Sequence, residues 1–247
     1  MSLRSIGLYI SALLHKSRIE DDIIYGQKNM PYEERKRQWP TLTDIMLPGW
    51  ATIGVMQCER MLQMETILAS KSPRRAKILS EHGWCFTVEP TEAAEVSIPR
   101  APKRTVLVNA ARKLKACRCS HPDAEIVAAD TIVWFNGRIY GKPHNLDEAR
   151  AFLRELSGQT HSVFTGVAYC VPGGQLQTTV VESKVKFREL SEELIDRYVE
   201  SVRPTDRAGA YDIDESGDLI VESYTGSYEN IMGLPMEPLA AHSGLST

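Results

Sequence analysis

Long hydrophobic runs are absent from this 247-residue sequence. No stretch reaches the roughly 18 to 20 apolar residues that a membrane-spanning helix requires. Residues 8–14 are mostly apolar, but the segment is too short and too poorly flanked to form a convincing signal peptide. We therefore expect a soluble cytoplasmic protein with no membrane partner.

Cysteines are few, and their spacing does not suit a structural metal site. The chain has five of them, an odd number. One residue separates Cys117 from Cys119, whereas zinc and thioredoxin motifs use a gap of two. The expectation is a set of reduced thiols, which agrees with a cytoplasmic location.

An excess of positive charge is also missing. The formal net charge is -3 and the pI is about 6.1, so the chain lacks the overall electrostatic footprint of a nucleic-acid-binding protein. A local cationic pocket remains compatible with this balance. We therefore expect a small anionic ligand and no nucleic acid.

Residues 1 to about 64 differ from the rest of the chain. They carry mixed charges and no sustained helical or strand period, whereas Met64 directly precedes a short apolar strand signal. We predict an N-terminal appendage over residues 1–64 and one domain over residues 65–247. We hypothesise that the first 63 residues are dispensable, being either disordered or an artefact of start-site choice.

Helical and strand patterns alternate along residues 65–247. A buried strand at residues 126–134 enters a favoured two-residue hairpin turn at Asn136 and Gly137. Two more strands, near residues 161–171 and 175–188, form a second hairpin. Helices that alternate with hairpins predict an α/β fold with a mixed sheet. Helices are expected to begin at the capping residues Ser72, Asn145 and Ser191.

Residues 70–75 combine hydroxyls and guanidiniums at one predicted helix N-terminus. The hydroxyls belong to Ser70 and Ser72, and the guanidiniums to Arg74 and Arg75. Free backbone N–H groups and the helix dipole favour an anion at this position. Cations in the first turn interact unfavourably with the helix dipole, so another reason is needed for their presence there. This favours a phosphate-binding role over the alternative of an ordinary capped helix with solvated arginines.

Asp130 is an acid inside an otherwise apolar strand. An ionised carboxylate there costs several kcal/mol unless it is paired or binds a metal. The alternative is that the strand ends at Ala129, but the β-type pattern continues through Trp134. We therefore favour a functional role for Asp130.

Three other charged residues carry little information alone. Lys142 follows Gly141 in what resembles a surface turn, and Glu95 lies in an acidic loop. Lys113 lies off the apolar stripe of a predicted helix, so that solvent exposure is the simpler expectation. That stripe has the spacing i, i+3, i+4, i+7 and consists of Leu107, Ala110, Ala111 and Leu114.

Taken in order, six blocks of the sequence resemble the Maf family of nucleotide pyrophosphatases. The resemblance covers about residues 66–239 and none of the N-terminal appendage. It implies an elongated α/β fold with a central mixed sheet and a cleft for one nucleotide, similar in architecture to inosine triphosphatases. The blocks are ILASKSPRR, AADTIV, GKP, LSGQTHSVFTGV, DRAGAYDI and GSYENIMGLP.

The resemblance implies hydrolysis of a nucleoside triphosphate to the monophosphate and pyrophosphate. It also implies a Mg²⁺ or Mn²⁺ ion held by Asp130 and Glu95, with Asp130 as the preferred base, and a homodimer. Catalytic residues carried over are Asp130, Glu95, Lys113 and Lys142, and the phosphate-binding residues are Ser70, Ser72, Arg74 and Arg75. The cations would neutralise charge on the triphosphate and on the departing pyrophosphate.

Base specificity is expected to depend on two further positions. Thr131 resembles the branch that acts on dTTP and UTP, where a Gln would resemble the branch for methylated guanine nucleotides. Asp214 departs from the pattern, because the first branch commonly has Gln there, and the added acid could repel a triphosphate or bind another metal. Both residues are expected to contact the substrate.

Two other functions remain open from the sequence. A noncatalytic nucleotide-binding regulator of cell division would use the same phosphate-binding residues without turnover. A nucleotidyltransferase would share the phosphate and metal chemistry but needs an acceptor site, for which no further motif is present. Retention of Asp130, Lys113 and Lys142 favours the hydrolase.

Overall fold

A computed structural model describes residues 65–240 of the chain. The predicted appendage over residues 1–64, and with it the hypothesis that the first 63 residues are dispensable, lies outside the described residues. Within residues 65–240, no helix is both long and apolar enough to cross a membrane.

The described chain alternates strands and helices. The strands are β1 (Thr66–Leu68), β2 (Thr87–Val88), β3 (Glu125–Phe135), β4 (Arg138–Tyr140), β5 (Thr160–Cys170), β6 (Gln177–Phe187) and β7 (Val221–Thr225). The longer helices are α1 (Pro73–Glu81), α2 (Pro102–Ser120), α3 (Leu146–Leu156) and α4 (Glu192–Val202). Short helices follow as α5 (Gly217–Ile220), α6 (Tyr228–Met232) and α7 (Glu237–Ala240), and a 3-10 turn spans Ala208–Ala210.

The seven strands form one mixed sheet, which confirms the predicted α/β fold. Its order is β2-β1-β3-β5-β6-β7, and β4 pairs with β3 beside this path. The β1 strand runs parallel to β2 and β3, whereas β3, β5, β6 and β7 are successively antiparallel. The predicted turn at Asn136 and Gly137 joins β3 to β4, and both residues have positive φ angles of 45° and 78°, as this turn type requires.

Two of the three predicted caps form as expected. The Asn145 side chain accepts a hydrogen bond from the Glu148 backbone, and Ser191 caps α4 in the same way. Ser72 occupies the N-cap position of α1, followed by Pro73, but its hydroxyl makes no capping hydrogen bond. The N-terminus of α1 therefore keeps backbone N–H groups without a side-chain cap.

Gly166 lets α2 pack unusually close to the centre of the sheet. It lies in β5 directly opposite Asp130 of β3. A Cβ atom at Gly166 would lie 2.5 Å from the backbone carbonyl of Val106 in α2, closer than real Cβ contacts come. Only glycine fits this contact, which brings the α2 side chains within reach of Asp130.

The apolar face of α2 is rotated from the predicted one. Leu107 and Ala111 are only half-buried, although Ala110 and Leu114 are buried as predicted. The fully packed face consists of Val106, Ala110, Leu114 and Cys117. This rotation moves Lys113 from the expected solvent side to the edge of the core, where its side chain is 13% exposed.

Candidate active site

Asp130 lies in the middle of β3 and is buried, with 5% of its surface exposed. Lys113 compensates its charge, with the ammonium nitrogen 2.7 Å from Oδ1. Asn109 donates from Nδ2 to the other carboxylate oxygen at 2.9 Å. Both partners project from the same face of α2, four residues apart. The structure thus supplies the compensation that an acid in an apolar strand requires.

Lys113 also binds Glu95, which precedes α2. Its Nζ lies 2.6 Å from Glu95 Oε1, so one ammonium contacts two carboxylates. Partial burial of Glu95 would raise the pKa of its carboxyl, but the hydrogen bond and charge of Lys113 outweigh this effect, and the net pKa is lowered. The charges of Lys142 and Arg75 act in the same direction. The expectation of a solvated Lys113 is therefore wrong, and Glu95 belongs to the same cluster.

Arg75 connects the phosphate-binding segment to β3. It donates from Nη2 to the Thr131 hydroxyl at 3.0 Å, and from Nη1 to the Ser70 hydroxyl at 3.0 Å. A third bond runs from Nε to the backbone oxygen of Gly233 at 2.7 Å. Burial lowers the pKa of this guanidinium, and the nearby Asp130 carboxylate opposes the shift. Arg75 is held rigidly beside the acid.

Ser70, Ser72 and Arg74 line the same N-terminal turn of α1. Ser70 is buried, and its hydroxyl accepts the Ser72 backbone N–H at 3.2 Å. Ser72 is half-buried. The Arg74 side chain is 22% exposed and ion-pairs with Asp212 at 3.2 Å. Hydroxyls, guanidiniums and helix N–H groups converge there, which makes the turn suitable for a phosphate group.

Thr131 lies next to Asp130 in the chain and faces Arg75. Its hydroxyl also lies 3.0 Å from the Thr165 hydroxyl across the β3–β5 pair. Thr165 in turn donates to the backbone oxygen of Asn230 at 2.9 Å. The Thr131 hydroxyl is therefore a fixed part of the cluster.

Lys142 and Asp214 lie at the exposed edge of this region. Lys142 is exposed, and its charge lowers the pKa of the Glu95 carboxyl. Asp214 is exposed too, and its Oδ2 pairs with Lys77 Nζ at 2.6 Å. It is linked to the phosphate-binding turn through Asp212, whose Oδ1 accepts the Asp214 backbone N–H at 2.9 Å and whose Oδ2 pairs with Arg74.

Three further residues of this region, Asn109, Asp212 and Arg207, were not predicted from the sequence. Asn109 binds Asp130, and its position four residues before Lys113 on one helix was the available signal. The buried Asp212 and the partly exposed Arg207 form an ion pair at 2.8 Å beside Arg74. Both lie in the block DRAGAYDI, but only the tertiary fold brings them to α1.

Taken together, the contacts join phosphate-binding groups to a buried acid. Arg75 links the α1 turn to Thr131, and Lys113 links Asp130 to Glu95. An anion at the α1 turn would therefore lie near a carboxylate that can accept a proton and near several cations. This combination suits the hydrolysis of a phosphoanhydride.

Comparisons with known proteins agree with this chemistry. A protein of Phocaeicola vulgatus named dTTP/UTP pyrophosphatase is 43% identical over 73% of this chain and 95% of its own. Proteins with the same name from Akkermansia muciniphila and Pyrococcus abyssi are 42% and 44% identical to this chain, over 69% of its length and 90% of their own length.

A more distant likeness exists among solved structures. A nucleoside-triphosphatase / dITP/XTP pyrophosphatase from Mycobacterium abscessus is 15% identical, with a TM-score of 0.35 over 50% of this chain and 74% of its own. That overlap is too limited to bear on function.

The sequence profile of one family matches all of the described residues. Its range, residues 65–242, contains every member of the cluster around Asp130. The match confirms the resemblance that the six sequence blocks predicted. The chain belongs to the family of Maf-like proteins.

Proposed function

We propose that this protein hydrolyses nucleoside triphosphates, with dTTP and UTP as preferred substrates, to the monophosphate and pyrophosphate. The observation that carries the proposal is the bridge of Lys113 between Asp130 and Glu95, at 2.7 and 2.6 Å, beside the arginine-bearing turn of α1. The names of the relatives from Phocaeicola vulgatus and Akkermansia muciniphila support the substrate class.

In this proposal Asp130 is the general base. Its two oxygens bind Lys113 and Asn109, which hold the carboxylate in one orientation while each oxygen keeps a further lone pair for a water molecule. The water oxygen forms a bond to the α-phosphorus, its proton passes to Asp130, and the bond to the departing pyrophosphate breaks. General base catalysis of this kind typically contributes about 10² to 10⁴ in rate.

The cations then have separate tasks. Arg74 and the uncapped N–H groups of α1 would bind phosphate oxygens, and Arg75 would fix the turn against Thr131. Lys142, which is exposed at the edge of the cluster, would meet the negative charge that develops on the leaving group. Ser70 and Ser72 complete the turn.

The donor set fits a Mg²⁺ or Mn²⁺ ion. Asp130 and Glu95 each place a carboxylate oxygen within 2.7 Å of the same Lys113 nitrogen, so the two carboxylates already share one cation and would be the residues that hold the metal ion. Within residues 65–240 no group of three or more His, Cys, Asp or Glu side chains could hold a metal. Mg²⁺ commonly uses one or two carboxylates and completes its shell with water and substrate phosphates. When bound, such an ion supplies charge stabilisation to the phosphate oxygens.

The test is pyrophosphate release from dTTP, UTP, CTP and modified nucleotides with Mg²⁺ or Mn²⁺ and no acceptor present. We expect Asp130→Asn to lower turnover about a hundredfold or more. The matched control is Asp123→Asn, at an exposed acid near the start of β3. Binding without pyrophosphate release would favour a regulator, and turnover only with an added acceptor would favour a nucleotidyltransferase.

We also propose that residues 65–247 suffice for this activity. The match of the family profile to residues 65–242 supports this division. Deletion of residues 1–63 should leave the specific activity within about twofold of the full chain, since the groups of the cluster all lie after residue 64. Loss of folded protein in the deletion variant would refute the proposal.

A further inference from the structure

Asp212 is a buried carboxylate next to the phosphate-binding turn. Its side chain is 4% exposed. One oxygen, Oδ2, accepts hydrogen bonds from Arg74 Nη1 at 3.2 Å and from Arg207 Nε at 2.8 Å. The other oxygen, Oδ1, accepts the backbone N–H of Asp214 at 2.9 Å. Two guanidiniums and one amide therefore occupy this carboxylate.

The backbone of Asp212 is fixed as firmly as its side chain. Its N–H donates to the Tyr198 hydroxyl at 2.9 Å, and that hydroxyl donates to the Asp212 carbonyl at 3.3 Å. Tyr198 is fully buried in α4. Asp212 is thus a rigid anchor, connected to the core independently of Arg74.

The two adjacent arginines of α1 are held very differently. Arg75 donates to three protein acceptors, whereas within residues 65–240 Arg74 donates only to Asp212. A guanidinium has five N–H donors, so four of those on Arg74 remain for a ligand. One anchor therefore determines where those donors point.

We propose that Asp212 is a positioning residue that holds the Arg74 guanidinium ready to bind the substrate's phosphates. This inference rests on the proposed function, because it assigns Arg74 to the same site. The restraint lowers the entropy that Arg74 would lose on binding, so removal of the restraint weakens the complex.

The charge of Asp212 alone would have the opposite effect. A carboxylate beside a phosphate site repels the ligand, so a purely electrostatic role predicts tighter binding when the charge is removed. Positioning predicts weaker binding, and only while Arg74 is present. The sign of the change and its dependence on Arg74 therefore separate the two roles.

The experiment measures the affinity of the full chain for inorganic pyrophosphate by calorimetry. We expect Asp212→Asn to weaken binding about tenfold, which corresponds to about 1.4 kcal/mol. In an Arg74→Gln background, the same substitution should have almost no further effect. The matched control is Glu215→Gln, because Glu215 pairs with Arg207 at 2.7 Å and is 53% exposed but does not touch Arg74. It should bind pyrophosphate as the wild type does.

A second variant keeps the inference testable if Asp212→Asn does not fold. Arg207 pairs with Asp206, Asp212 and Glu215, so a purely structural network should be damaged most by Arg207→Gln. Positioning predicts that Arg207→Gln retains affinity, since Asp212 still holds Arg74. A loss of about tenfold in Arg207→Gln that persists in the Arg74→Gln background would overturn the inference.

Failure of this inference is distinct from failure of the proposed function. Wild type that binds pyrophosphate but hydrolyses no nucleotide would refute the hydrolase, and the affinities of Asp212→Asn with and without Arg74→Gln would still decide the role of Asp212. Unchanged or tighter binding by Asp212→Asn would overturn the inference in an active enzyme. Wild type that binds no pyrophosphate would overturn it too.

Discussion

The Lys113 ammonium lies 2.7 Å from Asp130 Oδ1, and this pair joins α2, the longest helix within residues 65–240, to β3 in the middle of the sheet. The same nitrogen contacts Glu95 at 2.6 Å. A cation between two carboxylates neutralises their mutual repulsion and keeps both in reach of a shared ligand. The pair therefore has a structural and a chemical role, which substitution can separate.

Lys113→Met tests both roles of this ammonium. The change keeps most of the side-chain volume but leaves the buried Asp130 without its cation, and we expect a loss of about 3 kcal/mol in the free energy of unfolding. Turnover should fall by at least about a hundredfold. Chemical denaturation and pyrophosphate release measure the two effects. Lys115→Met is the control, because Lys115 is exposed on the same helix; equal effects in both variants would contradict the assignment.

Gly166→Ala tests the close approach of α2 to the sheet. The new Cβ would meet the Val106 backbone at 2.5 Å, so the helix must move and carry Lys113 away from Asp130. We expect a destabilisation of about 1 to 3 kcal/mol, typical of overpacking, together with reduced turnover. Gly141→Ala is the stability control, since a Cβ there meets nothing within 4 Å. Wild-type stability in Gly166→Ala would show that the helix tolerates the displacement.

Local signals in the sequence predicted the elements of the fold well. The turn at Asn136 and Gly137 needs positive φ angles, and the cap of Asn145 needs a side-chain acceptor, so each position identifies itself by residue type. The rotated face of α2 was missed, because its burial depends on how closely the helix packs at Gly166. The observed face, Val106, Ala110, Leu114 and Cys117, has helical spacing too, so periodicity alone could not choose between the two faces, and the contact that decides is long-range.

The residues of the candidate site also differ in whether the sequence alone predicts them. Asp130 was predictable because an acid in an apolar strand demands compensation. Its partner Asn109 had only a weak signal, the spacing of four residues to Lys113 on one helix, and the anchor Asp212 had none, since a polar residue on a helix or in a loop is usually solvated. Their importance comes from tertiary contacts, at 2.9 Å to Asp130 and 3.2 Å to Arg74. The family resemblance, in contrast, identified Lys113 before geometry did.

Asp214→Gln tests the departure from the pattern of the dTTP and UTP branch. The substitution removes a negative charge that now pairs with Lys77 at 2.6 Å and leaves that lysine free for an anionic ligand. We expect kcat/KM for dTTP and UTP to rise several-fold, since a charge at such an exposed position contributes up to about 1 kcal/mol. Asp218→Asn is the control, because it removes a charge from an exposed acid nearby. A fall in kcat/KM for both nucleotides would show that this chain uses the acid.

His161→Gln tests the acid sensitivity of the folded state. His161 is buried in β5 with Nε2 3.0 Å from the Tyr211 hydroxyl, and burial lowers the pKa of its imidazole to about 3. The unfolded imidazole titrates near 6.5, so between pH 6.5 and about 3 the unfolded chain binds a proton that the folded chain does not. The contribution of His161 to stability is therefore fully present above pH 6.5 and is lost as the pH falls through this window.

His161 alone changes the free energy of unfolding by up to about 1.4 kcal/mol per pH unit in this window. Glutamine can keep a hydrogen bond to Tyr211 but cannot take up a proton, so the variant should lose that part of the slope. Urea unfolding between pH 5 and 6.5 measures it, with His121→Gln as the control at a half-buried histidine that follows α2. If both variants retain the wild-type slope, other groups cause the acid sensitivity and His161 is protonated within the folded protein.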